Sequence, residues 1–464
     1  MRIAVIDIGS NAIRAAVYDN NELGAAEIFN EKFKSDITSL LELENMDIRH
    51  GTYNIFNYFI HIFDQLNVAE ISCVATEVLR NHKQSQKVID EIYKRFSIKV
   101  QILSGDEEAK ITAEGLISSI PDAKGVVADL GGGSLELAEV FEKKVHQVTS
   151  IPIGTKVLNR LVINDISYVL QNLEQSYKIK NYDNLYLIGG ALRLLGRCFM
   201  DYNNNIIKNL HNLVIDPHEF LEFLDKLETL QKFQQFFKQY KINKHAITVV
   251  RGLIAYFNPI NLIVSTFGLK EGVRFNLLSP EEQKKDIAFE RCIQFAKSRI
   301  NNLSIDDYKE LFSSINLELS EEISKLLVLS LILCHYPIHI DRSYKAEWMI
   351  NFILTTDIPF NQKQRASLII SVAHALSNKT HLVPKSIRRT LNKKEYIYAQ
   401  IMGSFIKVAI MVDGPVLTKP SFTIIYNDKF LEIVTDITIP RNIFDKICIE
   451  LKNIALSCRN IQNY

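Results

Sequence analysis

Four things are missing from this sequence: a C-x-x-C pair, an adjacent His-Asp pair, any Pro/Ser or Gln/Asn tract, and a preponderance of charge of either sign. The six cysteines, Cys73, Cys198, Cys292, Cys334, Cys448 and Cys458, are scattered mostly among apolar neighbours. They read as free buried thiols in a reducing compartment, not as a disulfide framework or a thiolate metal site. With 54 Lys+Arg against 53 Asp+Glu, the net charge of +1 creates no global field for nucleic acid or an anionic membrane, so any polyanion must meet a local patch. No apolar run approaches the ~18–20 uncharged residues of a membrane span. The start of the chain passes from Met1-Arg2 directly into a strand-like run ending at Gly9, with no room for a signal-peptide apolar region and cleavage site. The expectation is a globular, cytoplasmic protein without nucleic-acid or membrane partners. Its 464 residues suggest two to four domains.

What is present begins with a repeat. Residues 2–8, RIAVIDI, end in a turn at Gly9-Ser10-Asn11, and a second apolar run resumes from Ile13 to Asp19. About 120 residues later GVVADL (125–130), the glycines 131–133 and LELAEV (135–140) repeat that pattern, with Asp7 and Asp129 in equivalent places. This points to a duplicated α/β domain. Strands are expected at 71–76, 98–103, 186–190 and 261–265, and helices from Glu77 to Phe96 and from Asp106 to Ile117. From residue 281 the pattern becomes helical, and the last stretch combines a helix (397–412), two strand-like runs and a final helix from Arg441. The expected division is 1–120 and 121–280 for the two α/β domains, 281–385 for an all-α domain, and 386–464 for a small α+β domain.

In VADLGGGSLEL (127–137) the glycines either make a tight hairpin turn or free backbone N–H groups that converge on an anion. Two such turns, each following an Asp at a strand end, suit a phosphate grip in which the carboxylates reach a divalent cation. Glu107 and Glu108 sit at a helix start, where acids either cap or, facing a phosphate site, accept a proton from water. Arg80 is a surface helix residue or a phosphate clamp. His335 and His339 have helical i, i+4 spacing, and Asp341 and His374 lie in the same region, but Pro337 breaks the helix between the pair, which argues against a metal site there.

In order and approximate spacing, IDIGSNAIR (6–14), ATEVLRN (75–81), ILSGDEEAK (102–110), VADLGGGSLEL (127–137), SIPIGTKVL (150–158), IGGALRLL (188–195) and STFGLKEG (265–272) resemble the exopolyphosphatase / guanosine pentaphosphate phosphohydrolase family in its long, multidomain form. The resemblance implies two ribonuclease-H-like domains of the actin and sugar-kinase superfold, followed by the all-α and α+β domains. It implies hydrolysis of a terminal phosphate from inorganic polyphosphate, or of the 5′ γ-phosphate from guanosine pentaphosphate, with Mg²⁺. By motif position Glu108 matches the water-activating carboxylate, and Asp129 and Glu136 match acids associated with the metal. Gly9, Ser10, Asn11, Gly131, Gly132, Gly133 and Ser134 match the phosphate loops, and Arg80 matches a basic residue facing the phosphates.

Three departures stand out. Ala12 replaces a hydroxyl residue common after GSN, and Ile247 and Arg251 replace an Asp and a Pro in HAITVVRGLIAY (245–256), a stretch expected to form a wall of the cleft. Leu333-Cys334-His335-Tyr336 lacks the His-Asp motif of many long members, which argues against a second phosphodiesterase activity. Two other classes remain open: a polyphosphate- or nucleotide-binding regulator that has lost turnover, and an ATP-dependent kinase of the same superfold. The basic stretch KTHLVPKSIRRTLNKK (379–394) is either a track for a long polyanion or a solvated linker. The additional C-terminal domains are compatible with a homodimer.

Overall fold

The computed structural model describes residues 1–34, 37–42, 51–80, 82–163, 165–178, 181–229, 239–297, 307, 310, 320–337, 339–377, 380–414, 420–427, 430–435 and 437–462. The chain divides into two compact units, Met1–Asn205 with Leu210–Ile287, and Ile206–Asn209 with Ala288–Tyr464. The four-part division expected from the sequence is finer than this.

The first unit holds two mixed sheets. One consists of β1 (Arg2–Ile8), β2 (Ala12–Tyr18), β3 (Glu27–Lys34), β4 (Val68–Ala75) and β5 (Val100–Ile102), in the order β3-β2-β1-β4-β5. The other contains β6 (Gly125–Leu130), β7 (Leu135–Phe141), β8 (Lys144–Ile151), β9 (Asn184–Ile188), β10 (Leu213–Ile215) and β11 (Asn261–Val264), in the order β10-β11-β9-β6-β7-β8. Each has an antiparallel meander of three strands followed by two parallel ones, and the second adds β10 as an antiparallel edge. The duplication extends to single bonds. Gly9 N–H donates to the Ala12 carbonyl and Gly131 N–H to the Ser134 carbonyl, both at 3.0 Å. The register sets Asp7 opposite Arg14 and Asp129 opposite Glu136.

Both sheets arise from apolar runs that are buried on each face, as in Ile3–Ile6 and Val126–Ala128. Three strands went unread: β3 (EIFNEKFK) and β8 (KVHQVTSI), where polar side chains obscure the apolar pattern, and β10, which is apolar but only three residues long. The helix expected over 77–96 is two, Glu77–Arg80 and Ser85–Phe96.

The halves of this unit are joined where the helix Gly105–Ser119 crosses the helix Leu269–Asn276. A Cβ on Gly115 would fall 2.2 Å from the Gly268 carbonyl oxygen, and one on Gly272 would fall 1.8 Å from that of Ile111. Backbones therefore touch, and only glycine permits it. Beside the crossing, Glu271 accepts from Gly268 N–H at 2.9 Å, and the buried Lys270 pairs with Glu27 of β3 and Glu271.

The second unit packs the helices Glu321–His335, Lys345–Thr355, Gln362–Leu376 and Lys393–Asp413 around one apolar core, with a hairpin of β12 (Phe422–Asn427) and β13 (Phe430–Thr435) and a helix at Arg441–Gln462. The first helix ends at His335, just before Pro337; His335 is buried with Nδ1 2.7 Å from the Leu331 carbonyl, whereas His339 and Asp341 are exposed. The basic stretch 379–394 folds into the helical turns Thr380–Leu382 and Lys385–Arg389, anchored in the core by Val383 and Ile387; Lys379 lies outside the described residues. By length and composition the helix Lys393–Asp413, interrupted by Lys407, is apolar enough to cross a membrane, with 56% of its 18-residue apolar window buried within the protein. Of the cysteines, Cys73, Cys198, Cys292 and Cys334 are buried, while Cys448 is exposed, and the Cys458 side chain lies outside the described residues.

Three helices of this unit meet at the buried Glu450. Its carboxylate lies 2.6 Å from Lys407 Nζ and 3.7 Å from His374 Nε2. Burial pushes the Glu450 carboxyl up, but the facing His374 and Lys407 outweigh that and hold it at about 2. A depressed acid stabilises the fold above its unfolded value of about 4.3 and stops doing so as pH falls through the folded one. The second unit should therefore lose stability between about pH 4.5 and pH 2, and Glu450→Gln should flatten that loss while costing on the order of 1–3 kcal/mol at pH 7 in denaturant titrations. At the helix crossing, Gly115→Ala should destabilise the first unit by at least ~2 kcal/mol, because its methyl meets a carbonyl that cannot rotate away; a wild-type melting temperature would contradict this crossing.

Candidate active site

The first unit brings the expected residues together from both of its halves. The turn after β1 and the turn after β6 abut: a Cβ on Gly132 would lie 2.4 Å from Ser10 Oγ and 3.1 Å from Asn11 Nδ2. None of Gly9 and Gly131–Gly133 has positive φ. Gly132 and Gly133 are thus closely approached by side chains, whereas a Cβ on Gly9 or Gly131 would meet its nearest neighbour at 3.4 or 3.3 Å. The second turn is a hairpin turn, as its Gly131–Ser134 bond shows, and is braced from behind. The carbonyls of Gly131, Gly132 and Gly133 accept from the amides of Thr155, Lys156 and Gly154. Lys156 also spans the two turns, donating from Nζ to the Ser10 carbonyl at 2.5 Å.

With the carbonyls occupied, the N–H groups remain. Among the described residues, those of Ser10, Asn11, Gly132, Gly133 and Ser134 donate to no protein acceptor. Such convergent amides are the groups that bind anions in backbone nests.

Carboxylates surround these turns. Glu108 enters from the first turn of helix Gly105–Ser119, whose capping box uses Ser104 and Glu107, so Glu107 is a capping acid and Glu108 faces inward. Arg80 Nη1 holds Glu108 at 3.3 Å and is itself fixed by the Leu103 carbonyl at 2.8 Å. Glu136 accepts from Ser150 Oγ at 2.9 Å, and Asp129 lies 3.5 Å from Thr112 Oγ1. Arg193 donates to the Thr266 carbonyl at 2.9 Å, and its charge faces Asp129, Glu271 and Asp7.

Residues 16–281 match the Ppx/GppA phosphatase family. The chain belongs to that family. Its curated relatives include Exopolyphosphatase 1 of Mycobacterium tuberculosis, 24% identical over 34% of this chain and 48% of the relative. Retrograde regulation protein 2 of Saccharomyces cerevisiae is 26% identical over 38% and 33%. The Bifunctional 3-dehydroquinate synthase/phosphatase of Fusobacterium nucleatum is 29% identical over 39% and 29%. These matches span about a third to a half of the relatives' length. The solved Aquifex aeolicus PPX-GPPA enzyme shares the fold, with a TM-score of 0.51 at 22% identity over 59% of this chain and 98% of that one.

Within this candidate site of the Ppx/GppA chain the acids are held above their ordinary range. Burial raises Asp7 to about 6, opposed by Arg14 and reinforced by Asp129. Burial, then Glu136 and Asp129, raise Glu108 against the pull of Arg80. Burial raises Asp129 despite Arg193 and Thr112, and burial with Asp129 takes Glu136 to about 7 despite Ser134 and Ser150. Burial also lowers Arg193 and, on β3, Lys32. Burial is the first cause for all four acids, of which Glu136 is buried and Asp7, Glu108 and Asp129 half-buried, and neighbouring acids add to it. Among the described residues no three His, Cys, Asp or Glu side chains could hold an ion by themselves. A cation that takes one or two carboxylates and completes its shell with water and phosphate oxygens suits this set, and Mg²⁺ behaves so.

The departures from the family pattern lie elsewhere. Ile247 is buried in the core of the second half, and Arg251 pairs with Asp225 and Glu228 at 2.7 and 3.0 Å, so both serve the packing of helix Lys244–Phe257. The Ala12 carbonyl closes the first turn, a role independent of its side chain. The residues that sequence reading left unassigned are Arg14, Thr112, Ser150, Lys156 and Arg193. Only Asp7 announced itself, through the repeat.

The raised Glu136 carboxyl implies a stability cost near neutral pH. Glu136→Gln keeps an acceptor for Ser150 but removes one repelling charge, so at pH 7.5 and without divalent ions it should stabilise the protein by on the order of 2 kcal/mol. Thermal melts check this: a melting temperature at or below wild type would show that the charge is already compensated.

Proposed function

We propose that this chain is a phosphoanhydride phosphohydrolase, releasing terminal orthophosphate from inorganic polyphosphate, with the 5′ γ-phosphate of guanosine pentaphosphate as the other substrate to be tested. The observation supporting this is the pairing of two abutting turns, with unspent N–H groups, with an inward carboxylate held by Arg80. The amides of Ser10, Asn11 and Gly132–Ser134 take the oxygens of the terminal phosphate. Glu108, whose raised affinity for protons suits a base, takes a proton from water. The water oxygen then bonds to the terminal phosphorus, the bridging P–O bond breaks, and the shortened chain leaves on that oxygen. Arg80 fixes Glu108 and offers positive charge to the developing transition state.

Asp129 and Glu136, with Asp7 beside them, would hold Mg²⁺, which when bound neutralises phosphate oxygens that these carboxylates would otherwise repel. Ser150 and Thr112 orient the two acids through their hydroxyls.

Glu108→Gln should lower the rate of phosphate release from polyphosphate by about 10²–10⁴-fold. Its affinity for tripolyphosphate should stay within about threefold of wild type, because the amides that bind phosphate are untouched. Unchanged turnover would remove Glu108 as the base. The similarity to Retrograde regulation protein 2 favours one second reading, a polyphosphate- or nucleotide-binding regulator. Side-by-side phosphate-release assays on polyphosphate and guanosine pentaphosphate with Mg²⁺ separate the two: tight binding without release from either would favour the regulator.

A further inference from the structure

The glycine turn carries a second carboxylate that the reaction above does not use. Glu77 opens the short helix Glu77–Arg80, and its side chain lies directly over Gly133: a Cβ there would fall 2.2 Å from both Glu77 Cδ and Oε2 and 2.6 Å from Cγ. Glu77 accepts no hydrogen bond from the Gly133 amide. Among the described residues no Lys, Arg or His lies within ion-pair distance of its carboxylate. The same helical turn thus delivers a cation to Glu108, through Arg80, and a carboxylate to the side of Gly133.

We propose that Glu77 is a specificity-determining residue of this site: its carboxylate stands over Gly133 as an internal rival for the turn, excluding a bare phosphate chain and admitting one that arrives with its charge neutralised. The proposal rests on the phosphoanhydride reading above and adds a selection step to it. Two like charges a few ångströms apart in a partly dehydrated site repel strongly. An entering phosphate must therefore displace Glu77 or bring a cation that both anions can share. Glycine at 133 leaves room for this placement, since a Cβ there would meet the end of the Glu77 side chain and displace it. The neighbouring Gly132 carries the aliphatic part of Lys156, whose Cδ would be 3.5 Å from a Cβ at that position. The turn is accordingly flanked by one anion and one cation, and removing the anion alone should convert it into a general anion site.

The test is calorimetric titration of tripolyphosphate into the full chain, with EDTA and then with Mg²⁺, for wild type, Glu77→Gln and Glu77→Ala. Glu77→Gln preserves shape and removes the charge, so in EDTA it should bind about tenfold more tightly than wild type. With Mg²⁺ the difference should shrink to less than about threefold, because the shared cation already screens Glu77. Glu77→Ala should follow Glu77→Gln, which separates charge from shape. Equal or weaker binding by Glu77→Gln in EDTA would overturn the role of Glu77 and leave the phosphoanhydride site standing. No binding by any of the three proteins, with or without Mg²⁺, would remove the site itself and the proposal with it.

Discussion

The contact on which this molecule depends is the crossing of the helices Gly105–Ser119 and Leu269–Asn276, backbone against backbone through Gly115, Gly268 and Gly272. The first of these helices runs from β5 of one half to β6 of the other, and its opening turn carries Glu108. Locking it at van der Waals distance therefore sets the depth at which that carboxylate enters the site. Lys270 and Glu271 reinforce the lock with an ion pair to Glu27 and a bond to the Gly268 amide. The segment STFGLKEG, conspicuous only as a motif, turns out to be the clamp that positions residues about 160 positions earlier in the chain.

The site combines two electrostatic demands that conflict until something binds. Backbone amides of two turns call for an anion, while Asp7, Glu108, Asp129 and Glu136 call for protons or a cation. On the proposed function, a phosphate with a divalent cation would answer both at once. That arrangement fits phosphoryl transfer, in which the protein contributes placement and charge and little covalent chemistry.

Much of the fold could be read directly. The central strands announced themselves because burial on both faces makes them continuous apolar runs, and the Asp-x-Gly repeat exposed the duplication. Polar edge strands such as β3 and β8 did not, since water on one side removes the pattern. The helix over 77–96 broke in two because local periodicity does not report where a chain must turn. Glu107 and Glu108 were indistinguishable as text; the capping box with Ser104 occupies the first and leaves the second facing inward. Ile247 and Arg251, which looked like damage to the cleft, proved to be a core residue and the centre of an ion-pair cluster with Asp225 and Glu228.

By itself the sequence determined the duplicated α/β half of the protein, the two glycine turns and the family, because these rest on short-range patterns: apolar period, turn residues and motif order. Tertiary structure alone decided which charges face one another. Arg80 meets Glu108, Lys156 reaches Ser10 and Glu77 lies over Gly133 only after segments distant in the chain come together, and Ser150 meets Glu136 through the register of the β7–β8 hairpin. Electrostatic energy depends on distances through space and on burial, and neither is encoded in the spacing of residues along the chain.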